Sequence, residues 1–362
     1  MTELTDLEKR QLKFLKYSHL VAGIIHIGSS AFLLGYTADG NTWTPALELP
    51  RDVWTEITTG ECNDTFTGRC FRQERSYETY GIDLAALCAV FAFWSGFLHL
   101  LVFSPFYQKY KDTILQKFGF WRWLDYTISA SIMIVVIAIY CGITDTFLLA
   151  SLGLLEATVI LLGAGSEWAL SKAPKKFKND DTESEEESDG TKNPALQKLS
   201  KYLLVLAFLL FALMWVPILS TFFLSISSAE NVPAVVYIVV FTYPLSFLFF
   251  GLVSLQIYRK NMRNYLWYEF NFILLSLVSK VLLHWSIFFA LLMRGEQLEN
   301  DQFERNSPGT VDENSLYGVI GGVLACGVVT ALVASRYWPK DTNVVSGKVI
   351  SNARVVQTYT FW

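Results

Sequence analysis

The chain has 362 residues and a net charge of −4, with 52% hydrophobic, 15% aromatic and only 17% charged residues. Soluble domains carry about 45–50% apolar and about 25% charged residues, so this composition excludes an ordinary soluble globule and points to membrane spans. Ten prolines, 22 glycines and the lack of a repeat period exclude fibrous and solenoid classes.

The N-terminal segment, 1–16, is charged and has no short apolar core followed by a cleavage site. No removable signal peptide is expected, and the first span is read as an uncleaved anchor. A span needs about 20 consecutive apolar residues. Eight stretches qualify: 17–36, 82–104, 119–143, 147–170, 202–226, 232–258, 267–293 and 317–338. Unpaired backbone groups are too costly in lipid, and the runs lack strict alternation, so helices are expected rather than a barrel. The predicted fold class is an all-α membrane protein: a seven-span bundle over 17–293 and an eighth transmembrane helix.

The loops differ in kind. The stretch 37–80 is long, with enough Thr, Val, Ile and aromatic residues for a short β-hairpin. It holds Cys62 and Cys70, the pair expected to lie in water, and a disulfide between them is expected outside the cell. Asn63-Asp64-Thr65 is a glycosylation sequon that matters only in a eukaryotic secretory pathway. Cys88, Cys141 and Cys326 fall in spans and are read as small buried hydrophobes. The linker 171–201 has an acidic, low-complexity centre from Asn179 to Gly190, which is read as a disordered tether. The loop 294–316 is mainly acidic. Gly318 and Gly322 in the last span have small-xxx-small spacing, a helix-contact signature, and 339–362 forms a tail.

Basic residues set the expected orientation. The N-terminal segment and the loops after spans 2, 4, 6 and 8 hold 22 of the 29 Lys and Arg, and the loops after spans 1, 3, 5 and 7 hold six. Both termini are therefore expected in the cytoplasm.

Ionisable residues inside a bilayer are expensive and mark functional sites. Lys280 sits near the middle of 267–293, too deep to reach either face. Two readings stand: a buried amine with nucleophilic character that forms a Schiff base with retinal, or one partner of an ion pair in a transporter. Arg122 and Asp125, three apart at the start of the third span, share a helix face. Asp125 can be the counterion of a buried cation, with Arg122 keeping it ionised; the alternative is a helix-start ion pair at the headgroups.

Four motifs carry a resemblance. The stretch from Arg122-Trp-Leu-Asp125 through Ala138 resembles the third helix of heliorhodopsins, and Leu275-Ser-Leu-Val-Ser-Lys280 their seventh. Gly23-Ile-Ile-His26 resembles their first-helix histidine site, and Ser95-Gly-Phe-Leu-His99 their second-helix serine and histidine. The likeness runs from about Lys13 to Met293, with the four motifs in order and at matching spacing. It implies that Lys280 holds all-trans retinal as a protonated Schiff base, with Asp125 as counterion and Ser276 as a second hydrogen-bond partner. His26, Ser95 and His99 would line a polar cavity beside the counterion, and Tyr126 would flank the polyene. The resemblance also implies a cytoplasmic N-terminus and a homodimer built partly from the first outside loop.

Three features depart from the family pattern. The counterion is commonly Glu and here is Asp125. Glu156, at mid-depth in the fourth span, stands where a neutral polar residue is expected, and is read as a second proton site or a neutral buried acid. The eighth span and tail lie outside the likeness. Glu167 is read as structural, and His19 as lying near the headgroups.

Three functions remain in view at this stage. A sensory photoreceptor would pass its signal to a cytoplasmic partner. A light-gated proton channel would run through Glu156 and the histidines. An eight-span transporter without retinal would use Lys280 and Asp125 to bind ions. Pumps of the common microbial type carry an acid four residues before the lysine and another eleven after the counterion; here Ser276 and Val136 stand there, so no pump is expected. No metal-ligand cluster, phosphate loop or nucleophile triad is present, so no enzyme activity is expected, and neither is a nucleic-acid partner. Retinal and the lipid bilayer are the expected partners.

Overall fold

A computed structural model describes residues 4–38, 44–57, 70–173, 194–227, 234–260, 262, 264–302 and 336. Helices dominate: α1 (Asp6–Ala38), α2 (Leu84–Phe103), α3 (Tyr107–Leu115), α4 (Phe120–Tyr140), α5 (Thr146–Lys172), α6 (Pro194–Ser227), α7 (Ala234–Arg259) and α8 (Tyr265–Gln302). All but α3 are long and apolar enough to cross a bilayer, giving seven candidate spans among the described residues. The protein is an all-α integral membrane bundle. Large apolar side chains such as Leu154 and Leu224, each 71% exposed, point outward where lipid would meet them. Of the stretch 317–338, expected as an eighth span, only Arg336 is among the described residues, and Cys62 and the acidic centre of the 171–201 linker lie outside them. Helix α6 begins at Pro194, seven residues before the end expected for that linker.

The spans close into a ring in the order α1, α2, α4, α5, α6, α7, α8 and back to α1. Small residues let α1 and α2 approach closely: a Cβ on Gly96 would lie 2.8 Å from the Ile27 side chain, and one on Gly23 would lie 2.8 Å from Leu100. Ser30 Oγ donates to the Ala89 carbonyl across the same contact, at 2.8 Å. Capping fixes where two spans begin. The Asp83 carboxylate accepts from the backbone N–H of Ala85 and Ala86, and the Asp145 carboxylate from that of Leu148. Pro217 and Pro244 stand inside α6 and α7, as transmembrane helices tolerate. The turn between α4 and α5 uses Gly142 at φ +96°, which favours glycine.

The loop 37–80 contains the expected hairpin, β1 (Ala46–Ile57) pairing antiparallel with β2 (Cys70–Gly81). It is fastened to the start of α5. Glu48 N–H donates to the Thr144 carbonyl at 2.9 Å, Thr146 Oγ1 donates to the Glu48 carbonyl at 2.9 Å, and Leu47 is buried in the bundle core. Helix α3, with nine residues, is too short for a span and is not expected from hydropathy, but Tyr110 and Ile114 are buried against the end of the bundle that carries the α1 N-terminus.

Candidate functional site

Lys280 projects from the middle of α8 and is 3% exposed. Its Nζ donates to Asp125 Oδ2 at 2.8 Å and to Ser276 Oγ at 2.8 Å. Ser276 reaches it because residues four apart on a helix are stacked one above the other. Asp125 on α4 is 4% exposed, and its other oxygen accepts from Ser95 Oγ of α2 at 2.6 Å. Three helices thus converge on one buried ion pair. A buried charge survives in an apolar interior only when it is paired and its remaining lone pairs are used, and both conditions hold here. Ser129 Oγ donates to the Asp125 carbonyl one turn on, at 2.8 Å. The Tyr126 ring lies 5.2 Å from Nζ, held by its hydroxyl bond to the Phe272 carbonyl at 2.7 Å.

From this pair a cavity opens between α4, α5, α6, α7 and α8. Its wall is mainly apolar and aromatic, with Met133, Phe211, Phe247 and Phe250 prominent, and Lys280 and Ser276 stand in it. Glu156 lines the same cavity from α5.

On the other side of Asp125 lie the histidines. His19 Nδ1 and His99 Nδ1 are 2.7 Å apart, so one carries the proton and the other accepts it. The His26 ring stacks on His99 at 5.8 Å between centroids. His19, expected near the headgroups, is 5% exposed and takes part in this cluster on helix α1, which begins at Asp6. Tyr110 of α3 closes over His19, ring against ring at 4.8 Å, and burial raises its phenol well above the ordinary range, so it remains a neutral cover. His284, one turn beyond Lys280 on α8, is buried.

Arg122 does not serve Asp125 in the way the shared helix face suggested. Its Nη2 donates to Glu167 Oε2 at 2.7 Å and to the Tyr265 hydroxyl at 3.3 Å, and its Nε donates to Glu269 Oε2 at 2.9 Å. Side chains on a helix lean toward its N-terminus. The guanidinium therefore folds back over Gly119, where a Cβ would lie 2.5 Å from Nη2, and meets acids on α5 and α8 instead. It also lies 3.9 Å above the Phe272 ring. Glu167 Oε1 accepts from Gly119 N–H, the Tyr265 hydroxyl and Trp123 Nε1 at 2.8, 2.8 and 3.1 Å. Glu269 went unnoticed in the sequence. Its signal was its place eleven residues before Lys280, roughly three turns on the same helix face. A small pocket whose lining includes His19, His99, Arg122, Asp125 and Glu269 lies between this network and Asp125.

A search of curated proteins gave no match. The heliorhodopsin family model matches residues 15–292, the span over which the four sequence motifs fall. The chain belongs to the heliorhodopsin family, whose members are retinal-based, light-sensing membrane proteins.

Proposed function

We propose that the protein is a light sensor that carries all-trans retinal on Lys280, with Asp125 as counterion. The observation that carries this reading is the Lys280 amine, paired to Asp125 at 2.8 Å and standing in the wall of an apolar, aromatic cavity. A primary amine in an apolar, aromatic cavity with one carboxylate beside it fits a polyene aldehyde, since the wall is mainly apolar. Retinal bound there would supply a polyene that absorbs visible light and isomerises, joined to Lys280 Nζ through a protonated imine.

The chain's own residues then have distinct tasks. Asp125 balances the positive charge at Nζ, and Ser95 holds its second oxygen so that the carboxylate keeps one orientation. Ser276 offers Nζ a neutral partner in place of the second acid found in pumps. Tyr126 packs beside the polyene. A proton leaving Nζ has Asp125 as its nearest acceptor, and His19, His26 and His99 form the next polar layer. That layer lies on one side of Lys280. Val136, where a pump would carry its donor, is buried and apolar. The proton is therefore held and returned by the same route, which favours a sensor over a pump. A light-gated proton channel is the second reading, favoured by one observation: Glu156 brings another acid to the cavity.

Orientation and assembly belong to the same proposal. The excess of Lys and Arg puts both termini in the cytoplasm. The histidine layer and Arg122 network then face the cytoplasm, where α3 and its neighbours can present a changed surface to a signalling partner. The hairpin fastened to α5 lies outside and is a contact surface for a homodimer.

Substitution of Lys280 by Ala tests the central claim, because only a primary amine can form the imine. The variant, supplied with all-trans retinal, is expected to show no visible absorbance while keeping wild-type helical content. A coloured pigment without added amine refutes the proposal. Recording under voltage clamp then separates the two light-driven readings: transient charge movement fits the sensor, and a steady photocurrent fits the channel.

A further inference from the structure

Glu156 is the one acid in the cavity wall that the proposed function leaves without a task. It is 1% exposed, and its Oε2 has no hydrogen-bond partner among the described residues. The nearby cations are committed elsewhere: Lys280 to Asp125, and Arg122 to Glu167 and Glu269. The titratable groups that share the cavity wall are Tyr126 from α4 and Lys280 from α8; the linings from α6 and α7 add no charged group. A carboxylate left charged and unpaired in such surroundings is prohibitive in cost, whereas a carboxylic acid is tolerable.

Packing of α5 on α4 gives its level in the bilayer. A Cβ on Gly153 would meet Val135 at 3.2 Å and the Ser131 carbonyl at 3.6 Å, and one on Gly163 would meet the Trp123 ring at 2.9 Å. The two helices run antiparallel, so Glu156, between these contacts, lies near the level of Ala130. That is five residues beyond Asp125, or roughly 7.5 Å along the axis at 1.5 Å per residue. Glu156 therefore faces the body of the cavity and not its amine end.

Resting on the retinal reading above, we propose that Glu156 is a colour-tuning residue, presenting a neutral carboxylic acid to the polyene away from Nζ. Excitation of a protonated polyene moves positive charge away from the nitrogen. A polar group along the chain therefore acts on the excited state differently from the ground state, while Asp125, at the nitrogen, chiefly stabilises the ground state. Both acids would contribute to the absorption maximum, Asp125 at the nitrogen and Glu156 along the chain.

The experiment uses the full chain supplied with all-trans retinal, as wild type, Glu156→Gln, Glu156→Leu and Glu156→Asp. Two properties are read: the dark absorption maximum, and the light-minus-dark infrared difference in the protonated-carboxyl carbonyl region. The expected result is a visible pigment in all four, a shifted maximum in Glu156→Leu, and loss of one protonated-carboxyl band in Glu156→Gln. Glu156→Asp should retain that band at a displaced frequency, and it keeps the test open if the other variants fold poorly. Pigment with an unchanged maximum in Glu156→Leu, or a band that persists in Glu156→Gln, overturns the tuning role and leaves the retinal reading intact. A wild-type chain that forms no visible pigment overturns both.

Discussion

The Arg122 network gives a stability prediction that does not depend on any ligand. Glu167→Leu removes the acceptor of four donors at once: Arg122 Nη2, the Tyr265 hydroxyl, Trp123 Nε1 and Gly119 N–H. Arg122 keeps Glu269 at 2.9 Å, so its charge is not wholly unpaired. Breaking a buried ion pair by deleting one partner costs about 3–5 kcal/mol. Each buried donor left unsatisfied costs about 1–3 kcal/mol. The remaining Glu269 contact pulls the first figure to its lower end, while the orphaned indole, phenol and amide push the total up. With about 3 kcal/mol for the pair and at least about 1 kcal/mol for each of the three orphaned donors, we expect a loss of about 6 kcal/mol, on the order of 10 °C or more in the unfolding midpoint. Glu167→Gln should lose less, since its amide oxygen still accepts from the neutral donors and only the charged partner is mismatched. The assay is thermal unfolding in lipid nanodiscs, followed by far-ultraviolet circular dichroism. If Glu167→Leu melts within about 1 °C of the wild type, the network is not a structural tie between α4, α5 and α8 and the accounting is wrong.

Two further outcomes are expected. Asp125→Asn deletes the carboxylate 2.8 Å from Lys280 Nζ, so at neutral pH the pigment should absorb in the ultraviolet instead of the visible; an unchanged visible spectrum would assign the counterion role to another group, Glu156 first. Cysteines at Asp181 and Lys348 should react with an impermeant thiol reagent only from the cytoplasmic side, and one at Asn300 only from outside; labelling of Lys348 and Asn300 from the same side would remove the eighth span.

Much of the bundle was legible in the sequence because the governing signals are local. Hydropathy over a window of about 20 residues found the seven described spans, since the bilayer imposes length and apolarity on each helix separately. Ser276 and Lys280 stand four residues apart, a spacing that stacks them on one helix face, and Lys280 Nζ donates to Ser276 Oγ. The hairpin in the first loop was readable from its residue types.

The partners of side chains on different helices were not readable, because they depend on how each helix is rotated and how closely it approaches its neighbours. Arg122 and Asp125 share a face of α4 yet serve different acids and bases, since Gly119 gives the guanidinium room to fold back toward α5 and α8. His19 was placed by its distance along the first span, but the packing of α1 on α2 brings it to 2.7 Å from His99. Glu269 looked like a residue at a span end until the ring of helices closed around it. Length and apolarity along the chain marked which segments can cross a bilayer; the tertiary packing of seven helices decided which of their buried polar groups meet, because in an apolar interior each must find its partner on another helix.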